Sequence, residues 1–143
     1  MWGIIMNFFK RMALLFLMSL TLFAAGLMLQ QVLEMYQNDT LRDHPEAVEA
    51  LKDSANDNAD AAFLLATGYK EGKVGAIDLE SAYRWYIKAA DLGDADAMLM
   101  IGWLYYQGDL FGGSDLKKAR YWFSKAADKG IDEAVEMLEI LSS

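Results

Sequence analysis

Residues 82–94 read AYRWYIKAADLGD, and residues 119–131 read ARYWFSKAADKGI. Laid over one another, the two stretches keep Ala, Trp, Lys, Ala, Ala, Asp and Gly in place across thirteen positions. The match extends upstream: Ala61, Leu65, Tyr69 and Gly72 stand 36 residues before Ala97, Ile101, Tyr105 and Gly108, and a loop one residue longer then moves the offset to 37. A period in the mid-thirties is the signature of a stacked helical repeat, in which each unit buries its apolar face only against its neighbours.

Each copy carries two apolar stripes at helical spacing. The first runs Ala61, Leu64, Leu65, Gly68, Tyr69, and again Ala97, Met100, Ile101, Leu104, Tyr105. The second runs Ala82, Trp85, Tyr86, Ala89, Ala90, and again Ala119, Trp122, Phe123, Ala126, Ala127. Spacing of 0, 3, 4, 7, 8 marks one face of an α-helix, and alternating small with large side chains lets antiparallel helices approach closely while filling the gap between them. Gly93 and Gly130 stand where the second helices need a left-handed terminal residue, as Gly72 and Gly108 do for the first. Asn58 and Asp94 are expected to cap the first helices. Trp85 and Trp122 are expected to be mostly buried at equivalent positions.

These residues resemble the Sel-one-like repeats, short relatives of the tetratricopeptide repeats. The second copy follows that pattern at Ile101-Gly102-Trp103-Leu104-Tyr105, Asp115, Ala119, Trp122, Phe123, Lys125, Ala126, Ala127 and Gly130. The first copy follows it at Asp78, Ala82, Trp85, Tyr86, Lys88, Ala89, Ala90 and Gly93, but has Ala66 for the usual Gly and Gly68 for a Leu, and reverses the order of Val74 and Gly75 in its loop. The resemblance covers about residues 61–138 and implies an all-α fold: a short α-solenoid of antiparallel helix pairs. For function it implies a binding surface, since such repeats serve unrelated partners.

The remaining chain sorts around this array. Residues 45–56, opened by Pro45 with Asp43 or His44 ahead as cap, carry Val48, Leu51 and Ala55 on one side and read as a capping half-repeat. Repeat one is placed at 58–93, repeat two at 94–130, and a last capping helix at 131–141, where Glu133, Glu136 and Glu139 give a polar outer side. Five or six short helices and no strand are expected over 45–141. Residues 34–44 read as a linker. Residues 1–33 read as a membrane or signal segment: Met12 to Leu29 carries no charge, and extended through Leu33 it is long enough for a span of ~20 apolar residues. Lys10 and Arg11 before it and Glu34 and Asp39 after it place the N-terminus in the cytoplasm and the repeats outside. A cleaved signal ending at Ala24-Ala25-Gly26 competes with this anchor. The prolongation Leu27-Met28-Leu29 favours the anchor.

Charge and chemistry narrow the function. After Arg11 the chain has 11 basic and 21 acidic residues, a net of −10, which argues against nucleic acid as a partner. There is no Cys and so no thiol chemistry. His44, the only His, reads as a helix-cap or solvent residue. Asp91, Asp94 and Asp96 lack the alternating loop and closing Glu of a calcium site, and Gly112-Gly113 follows a helix where a phosphate loop would follow a strand. No catalytic set, metal or cofactor is expected. On the first helix of copy two, Leu99, Trp103 and Tyr106 stand at spacing 0, 4, 7 opposite the apolar stripe. Two readings compete for Trp103: a protein-binding hot spot, or a seal between neighbouring first helices. Phe63 is the first-copy counterpart of Leu99, and Phe111, in the loop 109–114, could extend the same edge or tuck under its turn. The leading expectation is a noncatalytic adaptor or regulator in the bacterial envelope, membrane-held with a periplasmic repeat domain that binds another protein. The alternative is an immunity-type inhibitor that occludes a toxic effector enzyme.

Overall fold

A computed structural model describes residues 28–142. Residues 28–37 are helical (α1), and a 3-10 turn at Leu41–Asp43 leads to α2 (Pro45–Ser54), α3 (Ala59–Glu71), α4 (Leu79–Asp91), α5 (Ala95–Gln107), α6 (Leu116–Asp128) and α7 (Asp132–Ile140). Six helices therefore follow Pro45, and no strand occurs among the described residues. The expected segment 1–33 lies outside the described residues up to position 27. Among the described residues no helix is long and apolar enough to cross a membrane.

Helix boundaries follow from side-chain caps. Asn58 Oδ1 accepts the Ala61 N–H at 3.0 Å, and Asp94 Oδ1 accepts that of Ala97 at 2.6 Å. Asp78 and Asp115 cap the second helices in the same way, through the N–H groups of Ser81 and Lys118. Each bond satisfies one of the amides that a helix start leaves without a partner. His44 occupies the cap position of α2, but its side chain makes no capping bond. At the other ends Gly72 and Gly108 adopt φ of 75° and 77°. At Gly108 a methyl would land on the backbone of Gly113 and Ser114, so the residue is required twice over, by conformation and by space.

Consecutive helices pack antiparallel in the order α2, α3, α4, α5, α6, α7. Ala61, Ala82, Ala89, Ala97, Ala119, Ala126 and Ala134 are wholly buried, and the largest wholly buried side chains among them are Tyr86, Phe123, Leu51, Leu65 and Ile101. Trp85 and Trp122 occupy equivalent positions and, as expected, are mostly though not wholly buried against the core. At 100° per residue, Tyr86 and Phe123 fall near the centre of the stripe set by the buried alanines, whereas each preceding Trp falls at its edge.

Two departures of copy one explain each other. Gly68 stands where copy two has Leu104, and Val74 Cγ1 lies 2.7 Å from the place a Gly68 Cβ would take. The loop valine fills the space that the helix leucine fills in the other copy. The stretch 34–44, expected as a linker, is instead part of the packed structure. Leu41 is wholly buried, the Tyr36 hydroxyl donates to Glu71 Oε2 at 2.6 Å, and Val32, just ahead of the stretch, is also core at 3% exposed. Asp39, with φ of 58°, closes α1 in the left-handed conformation that Gly72 and Gly108 use later, and the Thr40 N–H returns to the Met35 carbonyl at 2.9 Å.

Candidate protein-binding surfaces

The central helix α5 decides how the expected stripe is displayed. Ala97, Met98, Leu99, Ile101, Gly102, Leu104 and Tyr105 are all buried, so the helix is enclosed on nearly every side, as an element with neighbours on both flanks must be. Leu99 is 8% exposed and belongs to the core, which removes it from any contact surface. Trp103 and Tyr106 remain half-buried and lie edge to face at 5.5 Å.

Trp103 is also tied to the solenoid. Its ring meets Phe123 edge-on at 5.7 Å, and its indole N–H donates to Glu133 Oε1 at 2.9 Å. One residue thus links α5 to α6 and to α7. In copy one the equivalent place holds Thr67, whose hydroxyl pairs with that of Tyr86 at 3.0 Å. The exchange is consistent: Tyr86 has a hydroxyl and a hydroxyl partner, while Phe123 has neither and meets an aromatic edge. Phe63 packs against Tyr86 with ring centroids 5.6 Å apart.

Phe111 joins a different group. It stacks on Tyr105 at 4.4 Å and 11°, and meets Tyr83 edge-on at 5.3 Å. The Tyr83 and Tyr105 hydroxyls share a hydrogen bond of 2.8 Å. Burial, then the bond to Tyr105, pushes the Tyr83 hydroxyl up to about 12, so Tyr83 keeps its proton at ordinary pH. Phe111 is 40% exposed and borders an open groove of about 580 Å³ with Tyr105, Lys117 and Lys118. It is tucked on one face and free on the other. The expected set thus divides: Trp103 and Tyr106 form one surface, Phe111 belongs to a second, and Leu99 and Phe63 serve packing.

Ionisable groups are engaged in holding the fold. Asp78 is held below the usual carboxylate range by the Ser81 hydroxyl and N–H, and Asp115 by the Lys118 N–H. His44 Nδ1 lies 3.1 Å from Glu46 Oε1. Among the described residues no group of three or more His, Asp or Glu could hold a metal. The stripe pattern does not reveal the Trp103–Glu133 bond, because it puts Glu133 on a polar outer side. Its placement on the first turn of the next first helix was the available clue.

The fold and these surfaces define a short α-helical solenoid. Residues 59–94 and 95–131 match the family described as Sel1 repeat. The two segments span more than half the chain, which therefore belongs to the Sel1-repeat family. A crystal structure of a Sel1 repeat protein from Oxalobacter formigenes is similar at 27% identity and a TM-score of 0.65, over 81% of this chain and 48% of that one. A protective antigen present in uropathogenic Escherichia coli strains, displaying an SLR fold, is similar at 29% identity and a TM-score of 0.64, over 80% of this chain and 24% of that one. This chain spans about half the length of the first and a quarter of the second. Among curated proteins no relative matches.

Proposed function

We propose that this chain is a noncatalytic protein-interaction module of the bacterial envelope, its repeat domain lying in the periplasm behind an N-terminal anchor or cleaved signal. The observation that carries the interaction reading is what lies at the surface once the core is closed. Several carboxylates serve as helix caps and ion pairs, while partly exposed aromatics, Trp103 and Tyr106 on one side and Phe111 on another, remain for contact. Aromatic side chains of this kind dominate protein interface energetics. Membership of the repeat family supports the same reading.

A photo-crosslinking residue in place of Tyr106, in the full-length chain expressed in its own host, should yield a protein adduct of defined mass. No protein adduct from Tyr106 or from other surface positions would overturn the interaction reading. An adduct with a toxic enzyme that loses activity in the complex would make the chain an immunity-type inhibitor. The envelope placement rests on Lys10 and Arg11 ahead of the uncharged stretch 12–29. Alkaline phosphatase fused after Ser143 should therefore be active, and an inactive fusion would overturn that placement.

A further inference from the structure

The outer face of α6 differs from that of its counterpart α4. Between Leu116 and Asp128 it carries Lys117, Lys118, Arg120 and Lys125 against the single carboxylate of Asp128. The matching helix of copy one, α4, balances Glu80 and Asp91 against Arg84 and Lys88. The repeat offset pairs Lys117 with Glu80, Tyr121 with Arg84, and Lys125 with Lys88. In copy one Glu80 and Arg84 neutralise each other at 2.9 Å. Copy two has replaced that ion pair with a cation and an aromatic ring.

Lys117, Tyr121 and Lys125 follow one another at spacing 0, 4, 8, and all three are exposed, Tyr121 at 55%. The Lys125 ammonium lies 5.3 Å from the Tyr121 ring and 5.1 Å from the Trp122 ring, which holds it beside the aromatic surface. Among the described residues neither Lys117 nor Lys125 has a carboxylate partner, whereas Lys118 pairs with Asp115 at 3.5 Å and Arg120 donates to the Leu141 carbonyl. The two cations of the stripe are thus available, and the two beside it are in use.

We propose that Lys117, Tyr121 and Lys125 form the docking site for an extended acidic segment of a partner protein, presenting two carboxylates on either side of an apolar or aromatic side chain. This names a partner chemistry and rests on the protein-interaction reading above. The geometry selects the segment. Eight residues of α-helix place the two lysines ~12 Å apart, with Tyr121 midway. In an extended chain, residues i, i+2 and i+4 share a face and span ~13 Å, so the pattern Glu-x-Phe-x-Glu meets the three in register. A partner helix fits less well, because helix-on-helix packing needs a continuous apolar seam that this face does not offer. The net charge of −8 repels nucleic acid and anionic membrane from most of the surface, while a short peptide engages the stripe alone.

The probe is a fluorescent twelve-residue peptide carrying Glu-x-Phe-x-Glu in a Gly/Ser background, titrated by anisotropy against the full-length chain in neutral detergent. Controls replace both Glu by Gln, or Phe by Ser. Phosphatidylglycerol vesicles and single-stranded DNA of twelve nucleotides form separate arms. The acidic peptide should bind at least tenfold more tightly than either control and weaken as salt rises. Lys117→Glu, which installs the copy-one residue, and Tyr121→Ser should each weaken it at least tenfold. Lys88→Glu on α4 should change it less than twofold. Equal binding of the Gln peptide, equal effects of the Lys117 and Lys88 reversals, or no peptide binding at all would overturn the proposal. So would vesicle or DNA binding through the stripe in place of peptide binding. A protein adduct from Tyr106 alongside such a failure would leave the interaction reading standing, with the partner seated elsewhere.

Discussion

At position 68 copy one has Gly where copy two has Leu104, and the Val74 side chain fills the difference. Adding a methyl in Gly68→Ala places it 2.7 Å from Val74 Cγ1, an overpacking that should cost about 1–3 kcal/mol. Val74→Ala in the same chain should recover part of it, so a double-mutant cycle by urea denaturation is expected to show a coupling of at least ~0.5 kcal/mol. Strictly additive losses would mean that the two positions are independent. Aligning the copies exposed both departures, yet it could not show that one compensates the other, because a repeat alignment runs along the chain while the loop folds back across the helix. Asp94 offers a second test of the same comparison. Burial, then the nearby charges of Asp96 and Asp60, raises its carboxyl, against the opposing bond from the Ala97 N–H. A folded value above the unfolded one means that its contribution is favourable at low pH and is lost as pH rises through the raised value. Asp94→Asn, which copies the cap Asn58 already supplies in copy one, should therefore raise Tm at pH 7, and the gain should shrink below about pH 4. Asp115, held low by its bond from Lys118, behaves oppositely: its contribution is present above the ordinary carboxylate range and is lost on acidification through its lowered value. Asp115→Ala should lower Tm at pH 7, with the difference closing in acid. Matching pH profiles for the two variants would contradict this account.

From Pro45 onward, helix existence and order are legible from spacing, since the apolar stripes at 3, 4, 7 coincide with an Asn or Asp cap at the start of each repeat and a Gly after each helix of the two repeats. What the spacing concealed was α5. A stripe analysis assigns a helix one buried face, but an element with neighbours on both flanks buries nearly all of its circumference, and Leu99 went inside for that reason. The contacts of Trp103 bear on its two competing readings. An edge on Phe123 and a bond to Glu133 give it a structural share whatever partner it meets. Full burial of a Trp would make its removal cost 3–5 kcal/mol. For this partly exposed ring Trp103→Ala should cost about 2 kcal/mol, whereas Trp103→Phe, which keeps an aromatic edge and loses one hydrogen bond, should cost about 1 kcal/mol. Thermal melts of these variants and of Glu133→Ala decide the matter: the Glu133 change should match Trp103→Phe. A wild-type melt for Trp103→Ala would show that the ring does not hold α7 and is free for contact.

At the scale of the whole chain, the start of the repeat domain is the part least legible in the sequence. Glu34, Gln37, Asn38 and Asp39 give 34–44 the composition of a connector, and the buried residues in it and just before it, Leu41 and Val32, are too sparse to produce a periodic signal. Burial nevertheless shows them to be core, and Tyr36 is fastened to Glu71 and covered by the Lys73 ammonium at 4.3 Å from its ring. Burying a Val or Leu fully contributes about 1.5–3 kcal/mol, so the two together represent roughly 3–6 kcal/mol. A domain of this size has about 5–15 kcal/mol in total. A chain beginning at Asp43 should therefore melt far below one beginning at Met28 and be partly unfolded at 25 °C. Circular dichroism melts of the two fragments test this. Equal melting temperatures would mean that α1 is an attached helix with no share in stability, and that the repeats from Pro45 onward fold alone. Unequal ones would mean that the solenoid begins at α1, so that the repeat surfaces are held in fixed orientation to the chain entering at residue 28 and do not swing on a tether.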